Sequence, residues 1–153
     1  MKLLVRATNW VGDAVISLPT LRLIRRVHPG AEITVLARPL VADLYAREDF
    51  CDHVEVCRGG RLDLAARLRR SSFDCAILLP NSFDSALVAW LARIPRRIGY
   101  ARDGRSLLLT DAIAPPRPGE IPAHQRYYYL ELLRRAGLCD QLADCPEIRL
   151  RAD

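Results

Sequence analysis

The sequence predicts an α/β fold: a Rossmann-like, mostly parallel sheet with flanking helices. Two observations predict it. Short apolar runs alternate with amphipathic segments along the chain, as repeated βαβ units do, and 153 residues, half of them apolar, suffice to bury one core but hardly two. A single domain over residues 1–153 is therefore expected.

The elements follow in order. Lys2 to Ala7 reads as the first strand; Arg6 interrupts its apolar stretch, which is too short for the core of a signal peptide. After Val11-Gly12-Asp13, Leu18, Leu21 and Ile24 mark one face of a helix, with Arg22, Arg25 and Arg26 off it as a solvated side. That helix ends before Pro29-Gly30, and Pro19 either kinks it or marks its true start. Glu32 to Ala37 and His53 to Val56 are strands, with a helix between them from Pro39 to Ala46. Leu62 to Arg70 is a helix with Arg67, Arg69 and Arg70 in solvent, and Phe73 to Leu79 is the fourth strand. Phe83, Leu87, Trp90, Leu91 and Ile94 recur at helical spacing until Pro95 stops them. Arg97 to Tyr100 is a strand, and Leu107 to Asp111 a further one. Residues 114–119, rich in proline, make a stiff connector. Arg126 to Ala136 is a last helix, with Tyr129, Leu130, Leu133 and Ala136 toward the core and Gly137 as its cap.

Composition narrows the function. No long uncharged apolar run exists, so no membrane span is expected, and the protein reads as cytosolic. The five cysteines, Cys51, Cys57, Cys75, Cys139 and Cys145, contain no C-x-x-C pair, and they read as buried small hydrophobes. His28, His53 and His124 lie too far apart in sequence to suggest a ligand set. A metal site is not expected. A net charge of +5 and a pI near 9.2 suggest an anionic partner. Lys2 is the only lysine, so 22 of the 23 basic residues are arginine. Codon usage explains most of that total, and position must decide which arginines matter.

In a sheet of this kind the site lies beyond the carboxyl ends of the strands. Thr8 to Asp13, Pro80-Asn81-Ser82 and Tyr100 to Arg105 are the loops expected there. The first has neither the G-x-G-x-x-G fingerprint nor a phosphate loop, which disfavours a standard NAD or ATP site. It offers a carboxylate, Asp13, beside Gly12, where a ligand can approach the backbone. Asp13 is a candidate proton acceptor, and equally a helix N-cap. Trp10 suits stacking on a sugar, or anchoring its loop. Asn81 and Ser82 suit both a helix cap and a hydroxylated ligand. Arg58, Arg61, Arg96, Arg97, Arg102 and Arg105 sit in or beside loops, where a guanidinium can fork a phosphate or carboxylate. His124 opens the last helix, as ligand group or cap.

Asn9-Trp10-Val11-Gly12-Asp13, Leu18-Pro19, Leu79-Pro80-Asn81-Ser82-Phe83, Ile94-Pro95-Arg96-Arg97-Ile98-Gly99-Tyr100 and His124-Gln125-Arg126-Tyr127 occur in that order over nearly the whole chain. Together they resemble the bacterial ADP-heptose:lipopolysaccharide heptosyltransferases of glycosyltransferase family 9, the heptosyltransferase II branch above all. The resemblance implies a GT-B enzyme with two Rossmann-like domains and no required metal or other cofactor. The N-terminal domain would hold the lipopolysaccharide inner-core acceptor and the C-terminal domain the donor, ADP-heptose. Asp13 would be the general base, with Asn9, Trp10 and Gly12 lining the cleft and Asn81 and Ser82 near the acceptor. Acceptor carboxylates and phosphates would occupy the loop arginines, Arg58, Arg61, Arg97 and Arg105 among them, and His124 joins the acceptor-binding candidates. Transfer would invert the anomeric centre, at the cytoplasmic face of the inner membrane, where substrate and charge hold the enzyme. Because the sequence stops at Asp153, the donor-binding domain is expected to be absent and the chain alone to have little activity. The competing reading is a non-catalytic α/β module for an anionic saccharide or nucleotide, with Asp13 merely a helix cap. No nucleic-acid partner is expected, since no helix-turn-helix or RNA-recognition signature is present.

Overall fold

The computed structural model describes residues 1–122 and 124–139. Six strands form one parallel sheet: β1 (Lys2–Arg6), β2 (Glu32–Ala37), β3 (His53–Val56), β4 (Cys75–Leu78), β5 (Arg96–Tyr100) and β6 (Asp111–Ile113). Their spatial order is β3-β2-β1-β4-β5-β6, so the chain leaves β1 in one direction and resumes at β4 in the other. That reversal opens a crevice at the carboxyl ends of β1 and β4.

Five helices cover the two faces: α1 (Val11–Val27), α2 (Pro39–Ala46), α3 (Arg61–Arg70), α4 (Phe83–Leu91) and α5 (Gln125–Arg135). Side chains alternate along each strand, so β1 sends Leu3 and Val5 to one core and Leu4 to the other. The first core packs α1, α2 and α5 on the sheet through Leu18, Leu21, Tyr45, Tyr129 and Leu133. The second packs α3 and α4 through Leu64, Leu68, Ala86 and Ala89. Both faces being covered, the middles of the central strands are apolar on both sides, Leu3–Val5 in β1 and Cys75–Leu78 in β4, which is why they stand out in the sequence.

Several expectations need correction. Leu107 to Asp111 is not a strand: Ser106–Leu108 is a 3₁₀ turn with Leu107 exposed, and the edge strand begins at Asp111. α4 ends at Leu91, short of Ile94, because Arg93 turns the chain with φ 57°. Its large stripe points outward, Phe83 and Trp90 being 45% and 48% exposed, while Ala86, Val88 and Ala89 pack on the sheet. Pro19 does not mark the start of α1, which runs from Val11 with Pro19 buried inside it. Arg25 and Arg67 are not simply solvated. Arg25 donates to Phe50 O, Ala31 O and Asp52, and Arg67 to Glu55, Val56 O and Arg58 O. Among the described cysteines only Cys75 is buried; Cys51, Cys57 and Cys139 are half-buried, and all four are free thiols. Cys145 lies outside the described residues. Among the described residues no helix is long and apolar enough to cross a membrane.

Candidate functional site

A pocket of about 260 Å³ opens beyond β1 and β4, on the α1–α5 face of the sheet. Asp13 lines it from the first turn of α1, and Asn9 and Trp10 line it from the loop before that helix. Asp13 is not the N-cap. Trp10 occupies that position, makes no side-chain capping bond and is 66% exposed, so the first amides of α1 have no capping side chain. Asp13 stands in the first turn of α1, at the end of the helix where its amides point outward. Gly12, one residue before it, is exposed, and a methyl group there would meet nothing within 4 Å. Nothing in the fold requires glycine at this position.

The opposite wall comes from β4 and α5. Asn81 lines the pocket and donates Nδ2 to the Tyr128 hydroxyl at 2.9 Å. Its Oδ1 is buried with no acceptor role filled among the described residues, an expense of about 1–3 kcal/mol that a hydroxyl donor would relieve. Ser82 is set back from the pocket as N-cap of α4, accepting from Ser85 N at 3.3 Å. Gln125, Tyr128 and Tyr129 on α5 complete the lining. Burial first, then the charge of Asp13, pushes the Tyr129 phenol up to about 12, so it keeps its proton at neutral pH. These three α5 residues are not apparent from the first-loop motif. Their signal is the Tyr127-Tyr128-Tyr129 run opening a helix whose other face is core.

Arg105 does not grip ligand. Its side chain is fully buried and donates to Tyr100 O at 2.9 Å, Pro80 O at 2.8 Å, Ser82 O at 3.1 Å and Ser85 Oγ at 3.0 Å. It is a clamp that fixes the loop carrying Asn81 against β5, and it lies so close over Gly99 that a Cβ there would stand 2.8 Å from Nη2. Arg97 is equally structural. It sits at the amino end of β5, away from the crevice, and donates to Leu108 O and Ile94 O at 2.6 Å each. Arg96 pairs with Asp111 at 3.0 Å at that same end. Arg102 lies over the Tyr128 ring, 5.9 Å from its centroid. His124 is the N-cap of α5, its Nδ1 accepting from Arg126 N at 3.1 Å, and is not part of the pocket wall. Arg58 and Arg61 line a separate cavity on the α3–α4 face, where Arg61 pairs with Asp84 at 2.6 Å.

Comparison with known proteins gives these geometries a context. Residues 61–140, just over half of the chain, match glycosyltransferase family 9 (heptosyltransferase), a stretch that holds Asn81, Ser82 and His124 but not Asp13. Lipopolysaccharide heptosyltransferase 2 of Salmonella typhimurium is 37% identical over 120 residues, covering 73% of this chain and 34% of that protein. Lipooligosaccharide heptosyltransferase 2 of Haemophilus ducreyi is 34% identical over 121 residues, again 34% of its length. The chain thus spans about a third of the curated relatives it matches. The structure of E. coli ADP-heptose LPS heptosyltransferase II superposes with a TM-score of 0.82 at 31% identity, over all of this chain and 47% of that one. A glycosyltransferase family 9 structure from Veillonella parvula reaches 0.84 at 18% identity, covering 98% of this chain and 44% of that one, a likeness of fold alone. On the sequence match and the shared fold together, the chain belongs to glycosyltransferase family 9, the heptosyltransferases.

Proposed function

We propose that this chain is the acceptor-binding, base-carrying half of a lipopolysaccharide heptosyltransferase, and that the Asp13 pocket receives the sugar alcohol that is glycosylated. One observation carries the reading. Asp13, Asn81 and Tyr128 come from three distant parts of the chain, yet they line one open pocket at the point where the strand order reverses. A carboxylate, an amide oxygen without a donor and a phenol are the groups a polyhydroxylated ligand needs.

In the proposed step the acceptor oxygen attacks the anomeric carbon of ADP-heptose while Asp13 takes the hydroxyl proton. The new C–O bond forms as the bond from that carbon to the phosphate oxygen breaks on the opposite face, and ADP leaves with the electron pair. Configuration inverts, and no covalent enzyme intermediate is needed. A carboxylate is a weak base, which suits a hydroxyl that becomes acidic only as the leaving group departs. Asn81 and Tyr128 orient the acceptor, Trp10 covers it, and Gly12 leaves space for it. The donor would bind a second domain, and the reaction would occur at the cytoplasmic face of the inner membrane.

A chimaera tests the reading: this chain replaces the matching 47% of E. coli heptosyltransferase II, and heptose transfer from ADP-heptose to a truncated core acceptor is followed. Transfer that Asp13→Asn lowers roughly 10²–10⁴-fold, with acceptor binding preserved, is expected. An active chimaera indifferent to that substitution refutes the assignment.

A further inference from the structure

The two polar groups facing Asp13 across its pocket are held more firmly than packing alone requires. Arg105 donates to Pro80 O at 2.8 Å and to Ser82 O at 3.1 Å, the carbonyls on either side of Asn81, so that residue cannot drift. Tyr128 is fixed on several sides. Its ring centroid lies 4.4 Å from that of Tyr100 and 5.7 Å from that of Tyr129, Arg102 stands 5.9 Å away, and its carbonyl accepts from the Tyr100 hydroxyl. Groups pre-organised in this way bind a ligand at little ordering cost.

Their hydrogen bonding is incomplete. Asn81 Nδ2 donates to the Tyr128 hydroxyl at 2.9 Å, which leaves two functions unused: the Asn81 Oδ1, buried without a donor, and the phenolic proton of Tyr128, for which no acceptor is placed among the described residues. A tie between loop and helix needs only the bond already made; it does not account for an acceptor and a donor left over side by side at one wall of a pocket. One alcohol satisfies both, because a hydroxyl donates one hydrogen bond and accepts others. An ether or carbonyl oxygen satisfies the phenol and leaves Oδ1 bare, and a methylene satisfies neither.

We propose that Asn81 and Tyr128 form a donor–acceptor pair that reads one free hydroxyl of the sugar in this pocket, on the same ring as the separate hydroxyl that gives its proton to Asp13. A volume of about 260 Å³ admits a single ring, which is why both contacts fall on one sugar. The inference rests on the acceptor reading above and adds what that reading leaves open: the ring is selected by an unsubstituted hydroxyl that takes no part in the reaction. A sugar lacking it strands both pocket groups in a buried space. Sites built to bond a hydroxyl reject such analogues more strongly than apolar pockets reject a missing methylene.

The 153-residue chain is titrated by NMR with a heptose-terminated core oligosaccharide and with analogues in which each hydroxyl of its two outermost sugars is replaced in turn by hydrogen or by methoxy. Deletion at one position should weaken binding roughly tenfold or more in the wild-type chain, and by no more than about threefold in Tyr128→Phe or Asn81→Ala. Methylation there should weaken it too; binding that tolerates the methoxy group reduces the pair to a single donor and overturns the proposal. Tyr128→Phe keeps its ring on Tyr100, so the test does not hang on a disruptive substitution. Tyr127→Phe, outside the pocket lining, should retain the full penalty. A different hydroxyl of the same ring should show a penalty that disappears in Asp13→Ala and persists in Tyr128→Phe. If a hydroxyl couples to Asp13 and none to Tyr128 or Asn81, or if the one they read lies on another sugar, this inference falls and the acceptor reading stands. If none couples to any of the three, or no oligosaccharide binds, both fall.

Discussion

Replacing Gly99 with alanine and Arg105 with alanine, singly and together, tests whether the buried guanidinium holds the loop that carries Asn81. The cost of losing Arg105 follows from its partners: three backbone carbonyls and one hydroxyl lose their donor in a buried space. A buried acceptor left without its donor costs about 1–3 kcal/mol, so the loss of Arg105 should destabilise the chain by at least that much. In Gly99→Ala the new methyl would stand 2.8 Å from Arg105 Nη2 and 3.3 Å from Cζ, an overpacking that costs about 1–3 kcal/mol. Once Arg105 is gone, the closest remaining atom is Leu109 Cδ2 at 3.5 Å, an ordinary contact. The second substitution then costs almost nothing, and the double variant is less destabilised than the sum of the singles by about 1–3 kcal/mol. Urea midpoints with a common m-value measure this directly. Costs that add to within about 0.5 kcal/mol would refute the packing of Arg105 over Gly99, and an Arg105→Ala chain of unchanged stability would refute the clamp itself.

Three further outcomes are expected. Gly12→Ala adds a methyl into open space in the first turn of α1, so stability should hold or rise by up to about 1 kcal/mol while core oligosaccharide binding, followed by NMR, falls. A loss of stability would mean that the fold needs this glycine. Burial alone would raise the Glu131 carboxyl, but hydrogen bonds from Arg134 and Arg135 outweigh it and hold the carboxyl below its ordinary value. The stabilisation is therefore present above the unfolded value of about 4.3 and lost as pH falls through the lower folded value, so wild type and Glu131→Gln should differ at pH 7 and converge in acid. Parallel stability–pH curves would contradict this. Arg97→Ala should lower the thermal midpoint, having removed bonds to Leu108 O and Ile94 O, without altering oligosaccharide binding; weakened binding with stability intact would return Arg97 to the site.

What the sequence reveals and what it conceals divide along physical lines. The strands are legible because both faces of the sheet are covered, so β4 reads as an unbroken apolar run and β1 and β2 carry polar residues only at Lys2, Arg6, Glu32 and Thr34. The helix at Phe83 is legible by period but not by direction. Its largest residues face solvent because Ala86 and Ala89 allow the backbone to approach the sheet, and spacing alone cannot tell an outer stripe from an inner one. Loop position likewise marks Arg105 and Arg97 as ligand groups, yet each turns inward to carbonyls that only the folded chain brings together. Asp13 and Asn81 are visible as local motifs after strands, whereas Tyr128 reaches the pocket only through the packing of α5 on α1.

The central claim is that the Asp13 carboxylate accepts the proton of a bound sugar alcohol. In the E. coli chimaera, single-turnover heptose transfer and acceptor affinity should be measured for wild type, Asp13→Asn and Asp13→Glu. The account predicts that Asn removes roughly 10²–10⁴ of the transfer rate at unchanged acceptor affinity, and that Glu, which restores a carboxylate at altered reach, recovers part of it. A transfer rate equal in wild type and Asp13→Asn would contradict it.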